Sequence, residues 1–155
     1  MTATGCFAQP DPEPTPLFSS EEEAFAAAEE TYRSYVDAVN DRREDPSSQP
    51  DPSTFLIETA LEDDIDAQRQ LDEAGVDIHG PTEIASSAPV DVSDDLSEAR
   101  LAICLDSTKT ALVDQSGEDV TPADRPELVS LEVAFVIVDG AFLINESNTR
   151  SVGAC

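Results

Sequence analysis

Leu131-Glu132-Val133-Ala134-Phe135-Val136-Ile137-Val138-Asp139-Gly140-Ala141-Phe142-Leu143-Ile144 is the stretch on which the fold turns. Leu131, Val133, Phe135 and Ile137 occupy alternate positions, the period of a strand with one face buried. Asp139-Gly140 then supplies a two-residue turn in which both positions tolerate positive φ, and Phe142 and Ile144 resume the alternation. The segment therefore predicts an antiparallel hairpin with an apolar face. Upstream, Leu101, Ile103 and Leu105 alternate with Ala102 and Cys104, and Ala111 to Val113 leads into the turn cluster Asp114-Gln115-Ser116-Gly117. Further back, Val76 and Ile78 begin a strand that bends at Gly80-Pro81 and resumes through Ile84, Val90 and Val92 before a turn at Asp94-Asp95. Proline inside such a run places it at an edge or a bulge.

Before Gly75 the period is helical. Ser20 and Glu23 have capping-box spacing, and Glu21 to Glu23 suit the positive end of a helix dipole. Phe25, Ala28, Tyr32, Tyr35, Val36 and Val39 recur at three- and four-residue steps, predicting a helix that ends near Asn40. Asp41 to Gln49 reads as polar loop. Asp51-Pro52 reads as an N-cap followed by a first-turn proline. Phe55, Leu56, Leu61, Ile65 and Leu71 continue the helical pattern to Ala74-Gly75, with Glu62-Asp63-Asp64 expected to split it in two. Helices followed by strands, segregated along the chain, give an α+β fold. The expected architecture is N-terminal helices packed on one curved antiparallel sheet over residues 19–155, preceded by a spacer at 1–18.

The totals fit that plan. The chain has 155 residues, of which 39% are hydrophobic, enough for one domain and a tail. Aromatics make up 5% and Trp is absent, so the expected core is mostly Val, Ile, Leu and Ala. No run of about eighteen apolar residues predicts a membrane-crossing helix. Acids outnumber bases 34 to 8, a net charge of −26, which repels nucleic-acid backbones and anionic head groups. Adaptation to salt, or a GC-rich source in which Lys109 is the sole lysine among the bases, accounts for such a composition. A role for bound cations is the competing reading.

The N-terminus carries a further signal. Thr2-Ala3-Thr4-Gly5-Cys6 has small residues before a cysteine, as at the end of a lipobox, and Phe7 to Phe18 is a proline-rich linker. At about 3.1 Å per residue, such a spacer would reach roughly 37 Å. The expectation is acylation of Cys6, a membrane partner through that anchor, and an extracytoplasmic, cell-surface location. The charged and apolar regions of a signal peptide are not among the five residues before Cys6, so an upstream segment is expected. With Cys6 acylated, Cys104 and Cys155 remain to form a disulfide. Three separate thiols in a reducing compartment is the alternative.

Together, Gly5-Cys6 with its spacer, the Tyr32…Tyr35…Asn40 helix, Leu71-Asp72-Glu73-Ala74-Gly75 leading to Gly80-Pro81-Thr82-Glu83-Ile84, Cys104-Leu105-Asp106-Ser107 and the terminal Cys155 carry a resemblance. The chain resembles small actinobacterial cell-envelope lipoproteins with a nuclear transport factor two-like, or cystatin-like, cone domain. The resemblance covers about residues 19–155. It implies a sheet cupped around the long helix, and it implies no particular activity.

Candidate chemistry is sparse. His79, the only histidine, reads as a loop residue, with a general base inside the cup as the alternative. Asp114 to Asp119 looks superficially like a calcium loop, but Gly117 stands fourth rather than sixth, so a hairpin turn is expected. Asp91, Asp94, Asp95 and Glu98 would hold a divalent ion only loosely. Asp106-Ser107 and Lys109 lack a nucleophile elbow or a nearby histidine and read as a turn. Tyr32 and Tyr35, three apart, share one side of the helix as core residues or as the lining of a small pocket, to which His79 is added as a third candidate. No catalytic residue, metal ligand or cofactor site is assigned. The expected function is non-catalytic binding of a small molecule, peptide or envelope protein. The alternatives are an enzyme using the cone pocket for acid/base chemistry, or a structural assembly subunit.

Overall fold

The computed structural model describes residues 10–13, 15–152 and 155. Helix α1 (Glu21–Glu44) is capped by Ser20, whose hydroxyl accepts from the Glu23 amide at 3.2 Å. The Glu23 carboxylate turns back to the Ser19 amide and hydroxyl, at 2.8 and 2.7 Å, so the reciprocal half of the cap engages Ser19 rather than Ser20. The helix runs four residues past Asn40. Arg42 and Arg43 lie in its last turn, where cations favour the negative end of the dipole, and not in a loop.

A short 3₁₀ turn, Pro52–Phe55, follows, capped by the Asp51 carboxylate on the Ser53 amide at 2.9 Å. Helix α2 (Glu58–Ala74) is continuous through Glu62-Asp63-Asp64. The break falls earlier, at Leu56-Ile57, where the chain is extended and the Ile57 amide donates to the Ile144 carbonyl at 2.9 Å. Acidic residues on a solvated helix face do not interrupt it, whereas pairing to a strand edge does.

Six strands follow: β1 (Val76–His79), β2 (Glu83–Val92), β3 (Glu98–Asp106), β4 (Ala111–Asp114), β5 (Leu128–Val138) and β6 (Ala141–Val152). A four-stranded antiparallel sheet has the order β2-β3-β5-β6. The β5–β6 hairpin closes with Val138 opposite Ala141, and Asp139 and Gly140 both take positive φ (51° and 82°). β1 and β4 form a separate two-stranded sheet, a departure from the single bent sheet expected. The cause lies at Gly80 (φ +85°): a Cβ there would stand 2.1 Å from the Lys109 carbonyl, so the chain crosses that strand end at backbone contact and changes sheet.

β2, which carries Pro89, is an edge strand with register shifts at Ile84/Ser86 and Pro89/Asp91. β6 shifts register against β5 at two places, bending the sheet around α1. Ala24, Ala28, Tyr32 and Val36 form the buried stripe of α1 and meet Ala99, Leu101, Ile103, Val133, Phe135, Phe142 and Ile144 from the sheet.

Through this core runs a row of five rings: Phe18, Phe142, Phe135, Tyr32 and Tyr35. Successive centroids are 5.2, 6.2, 6.4 and 5.8 Å apart. The core is therefore organised by aromatics despite their scarcity. Phe18, placed in the spacer on sequence grounds, stacks on Phe142 and belongs to the domain. Cys104, on the sheet face opposite Leu101 and Ile103, forms a disulfide with Cys155, with Cα atoms 5.8 Å apart. Cys6 lies outside the described residues. Among those described, no helix is long and apolar enough to cross a membrane.

Candidate functional site

The sheet and the two helices do not close on each other everywhere. At the end formed by Leu105 of β3, Leu131 of β5 and Ser147 of β6, a cavity of about 390 Å³ opens between α1, α2 and the sheet. That volume is in the range of small-molecule sites. Its floor is apolar: Val36, Leu56, Leu105, Leu131 and Ile144. Its polar groups come from Tyr32, Tyr35 and Arg43 of α1, Asp63 and Asp64 of α2, Thr82, and the hydroxyls of Ser107 and Ser147.

The gap exists because α2 packs thinly. Ala60 is its one buried residue, and Ile65, assigned to an apolar face by periodicity, is 55% exposed. Beyond Ala60 and Leu61, which meet the core, helix α2 is held by one polar pair. Arg42 of α1 grips Asp64 with two parallel hydrogen bonds, Nη2–Oδ1 at 3.0 Å and Nη1–Oδ2 at 3.2 Å. Both side chains are largely shielded, at 19% and 12% exposure, so this pair holds more strongly than a fully solvated one.

The mouth is held by a second polar device. Asn40 pairs with Thr82 as a strand residue would, its Nδ2 donating to the Thr82 carbonyl at 2.9 Å and its Oδ1 accepting from the Thr82 amide at 3.0 Å. Arg43 Nη1 joins the same cluster, donating to Thr82 Oγ1 at 2.9 Å, the Gly80 carbonyl at 3.1 Å and Asn40 Oδ1 at 3.3 Å.

Burial dominates the electrostatics here. The Tyr35 phenol is pushed up to about 12, first by desolvation and then by the Asp64 charge, while Arg42 and Arg43 oppose the rise. The Tyr32 phenol is raised further, by burial and by Tyr35. Both phenols are neutral donors across the physiological range. Arg43 is lowered, first by desolvation and then by Arg42.

The sequence candidates separate. Tyr32 and Tyr35 line the cavity together. His79 does not join them: it is exposed at the end of β1 and lines a neighbouring surface depression with Asn40, Glu44, Gly80, Pro81 and Arg43, the last of which borders both spaces. The period-two pattern of Val76 and Ile78 turns His79 outward. The Asp114 carboxylate is engaged in its own turn, accepting from the Ser116 amide and hydroxyl and the Glu118 amide. Asp95 serves Ser93 and Ser97 in the same way and is lowered to about 2 by those hydrogen bonds. Lys109 pairs with Glu83 on the surface. Among the described residues, no three His, Cys, Asp or Glu side chains gather as a metal site. Arg43 was hidden by its assignment to a loop. The signal for it is that bases are rare here, and two of them, Arg42-Arg43, stand side by side at a helix end.

No family model matches this sequence, and no curated protein is similar to it. Among solved structures the chain is similar to the crystal structure of the intermembrane space region of the chloroplast protein ARC6. The identity is 12% and the TM-score 0.55, over 81% of this chain and 95% of that one. At that identity the likeness is one of fold.

Proposed function

We propose that this protein is a lipid-anchored, extracytoplasmic binding domain of the nuclear transport factor two-like type, and that the cavity beside Tyr32 and Tyr35 takes a small molecule with an apolar body. The observation that carries the reading is the cavity itself: about 390 Å³ with an apolar floor, walled by neutral phenols, by Asp64 held in its pair with Arg42, and by Asp63 and Arg43. Non-catalytic capture suits that lining better than proton transfer, which needs a group poised near neutral pH. The Cys104–Cys155 disulfide supports an oxidising compartment, since such bonds persist outside the cytosol. Gly5-Cys6 ahead of the proline spacer supports an acyl anchor.

Titration of the isotope-labelled protein with a neutral apolar probe, 4-cyclohexylbutanamide, tests the binding reading. Saturable amide shifts confined to residues around Tyr35, Leu105, Leu131 and Ser147 are expected. Scattered, non-saturating shifts would contradict it. Mass spectrometry of protein taken from its native membranes tests the anchor: acyl groups on Cys6 are expected, and an unmodified N-terminus would remove the lipoprotein reading.

A further inference from the structure

The cations of this chain are few, and almost all are committed. Arg33, Arg42, Arg69, Arg100, Lys109 and Arg150 each face a carboxylate. Arg125 spends both terminal nitrogens on Thr110 Oγ1 and on the Ser107 and Thr110 carbonyls. Arg125 and Arg43 are thus the two bases with no carboxylate partner among the described residues, and of the two only Arg43 lines the cavity. Arg43 is half-buried. All its hydrogen bonds run through Nη1, leaving Nε and Nη2 as donors without a partner among those residues. In a chain with 34 acids, this half-buried guanidinium stands at a cavity wall with no carboxylate of the described residues on it. The Tyr35 hydroxyl, eight residues earlier on the same helix and so just over two turns away, also has no hydrogen-bond partner among the described residues and lines the same cavity.

We infer that the ligand of this cavity is an amphipathic monocarboxylate: its carboxylate docks on the free edge of Arg43 and on the Tyr35 hydroxyl, and its apolar body lies against Leu105, Leu131 and Ile144. The inference rests on the binding reading above and adds the chemical class of the ligand. A guanidinium edge offers two N–H groups in the geometry a carboxylate accepts. One free cation calls for one negative charge. Asp64 is occupied by Arg42, and Asp63 stands at the exposed rim, so a dianion would meet net repulsion there. The overall charge of −26 does not forbid a monoanion. At physiological salt the Debye length is about 8 Å, so distant surface acids are screened while the shielded guanidinium is not.

Three matched probes decide the matter: 4-cyclohexylbutyrate, its amide, and 4-cyclohexylbutylamine, titrated into the full chain at physiological salt. The carboxylate should bind at least about tenfold more tightly than the amide, as a hydrogen bond to a charged group requires, with the amine weakest. Arg43→Gln should bring acid and amide to equal affinity. Because Arg43 also ties Asn40 to Thr82, Tyr35→Phe serves as a second variant. It should weaken the acid more than the amide, severalfold, while leaving the melting temperature near wild type. Amide or amine binding in the cavity as tightly as the acid would overturn the carboxylate inference and leave the binding reading standing. Failure of all three to bind would overturn both.

Discussion

The two ends of the curved sheet are held by different physics. At the end where β5 turns into β6, Phe18, Phe142 and Phe135 stack and cross at 5–6 Å separations, and Phe135 and Val133 are fully buried. At the other end, Tyr32 and Tyr35 face a cavity, and the structure depends on directional bonds: Arg42 to Asp64, Asn40 to Thr82, and the Cys104–Cys155 disulfide. Close packing stabilises in proportion to the surface it excludes from water and leaves no room for a ligand. Fixed polar and covalent bonds can hold walls apart. The open end gives up packing, and those bonds keep its shape without filling it.

The largest effect should come from the closed end. Phe135→Ala should cost about 3–5 kcal/mol in denaturant unfolding, whereas Ile65→Ala at the open end should lie within about 0.5 kcal/mol of wild type. Similar costs at the two positions would erase the distinction. Next is the disulfide. It spans 51 residues of sequence, for which the chain-entropy model gives about 4 kcal/mol. Replacing both cysteines by serine should lower stability by about 2–4 kcal/mol. Hydrogen exchange should show the end of β6 beyond Thr149 losing protection while Phe142 and Ile144 keep theirs. A uniform loss along β6 would mean that the bond stabilises the whole domain rather than one end.

Much of this division was legible in the sequence, and the illegible parts have a common cause. The hairpin at Asp139-Gly140, the cap at Ser20 and the strand-like alternation in β3 are local signals, and the structure follows them. What failed was long-range. Gly80-Pro81 signalled a bend, but only the Lys109 carbonyl passing beside Gly80 sends β1 into a second sheet. Ile65 keeps helical spacing yet is exposed, since local period alone does not say which turn of a helix meets the core. His79 reads from sequence as a loop residue, and strand parity leaves it exposed and away from the cavity of Tyr32 and Tyr35. One local signal went unread. Asp-x-Ser/Thr recurs at Asp45, Asp51, Asp95, Asp106, Asp114 and Asp119, and each carboxylate is lowered by hydrogen bonds from the Ser or Thr two residues on. Part of the acidity thus belongs to turns.

Two smaller perturbations probe the open end. Asp64→Asn leaves Arg42 without its carboxylate and should cost about 1–3 kcal/mol, with α2 amides exchanging faster than those of α1. Equal exchange in both helices would show that apolar contacts, not this pair, position α2. Alkali should act through Tyr35. Its phenol ionises near 10 when unfolded and at about 12 when folded, so the folded state binds the extra proton between those values. The Tyr35 contribution to stability should be constant below about pH 10 and fall as pH rises toward about 12, and Tyr35→Phe should remove that part of the alkaline loss. A phenol of the native protein titrating at its ordinary value would mean that the cavity wall is wet.

The chain has no tryptophan and two tyrosines, and both line the cavity. All of its intrinsic tyrosine emission therefore originates at the proposed site. Titrating the native protein with 4-cyclohexylbutyrate, which does not absorb where tyrosine is excited, reads that site alone. If the open end is a binding site, the emission changes and saturates at one equivalent per chain. Emission that stays flat while the probe is shown by dialysis to bind would place the ligand elsewhere and contradict the account.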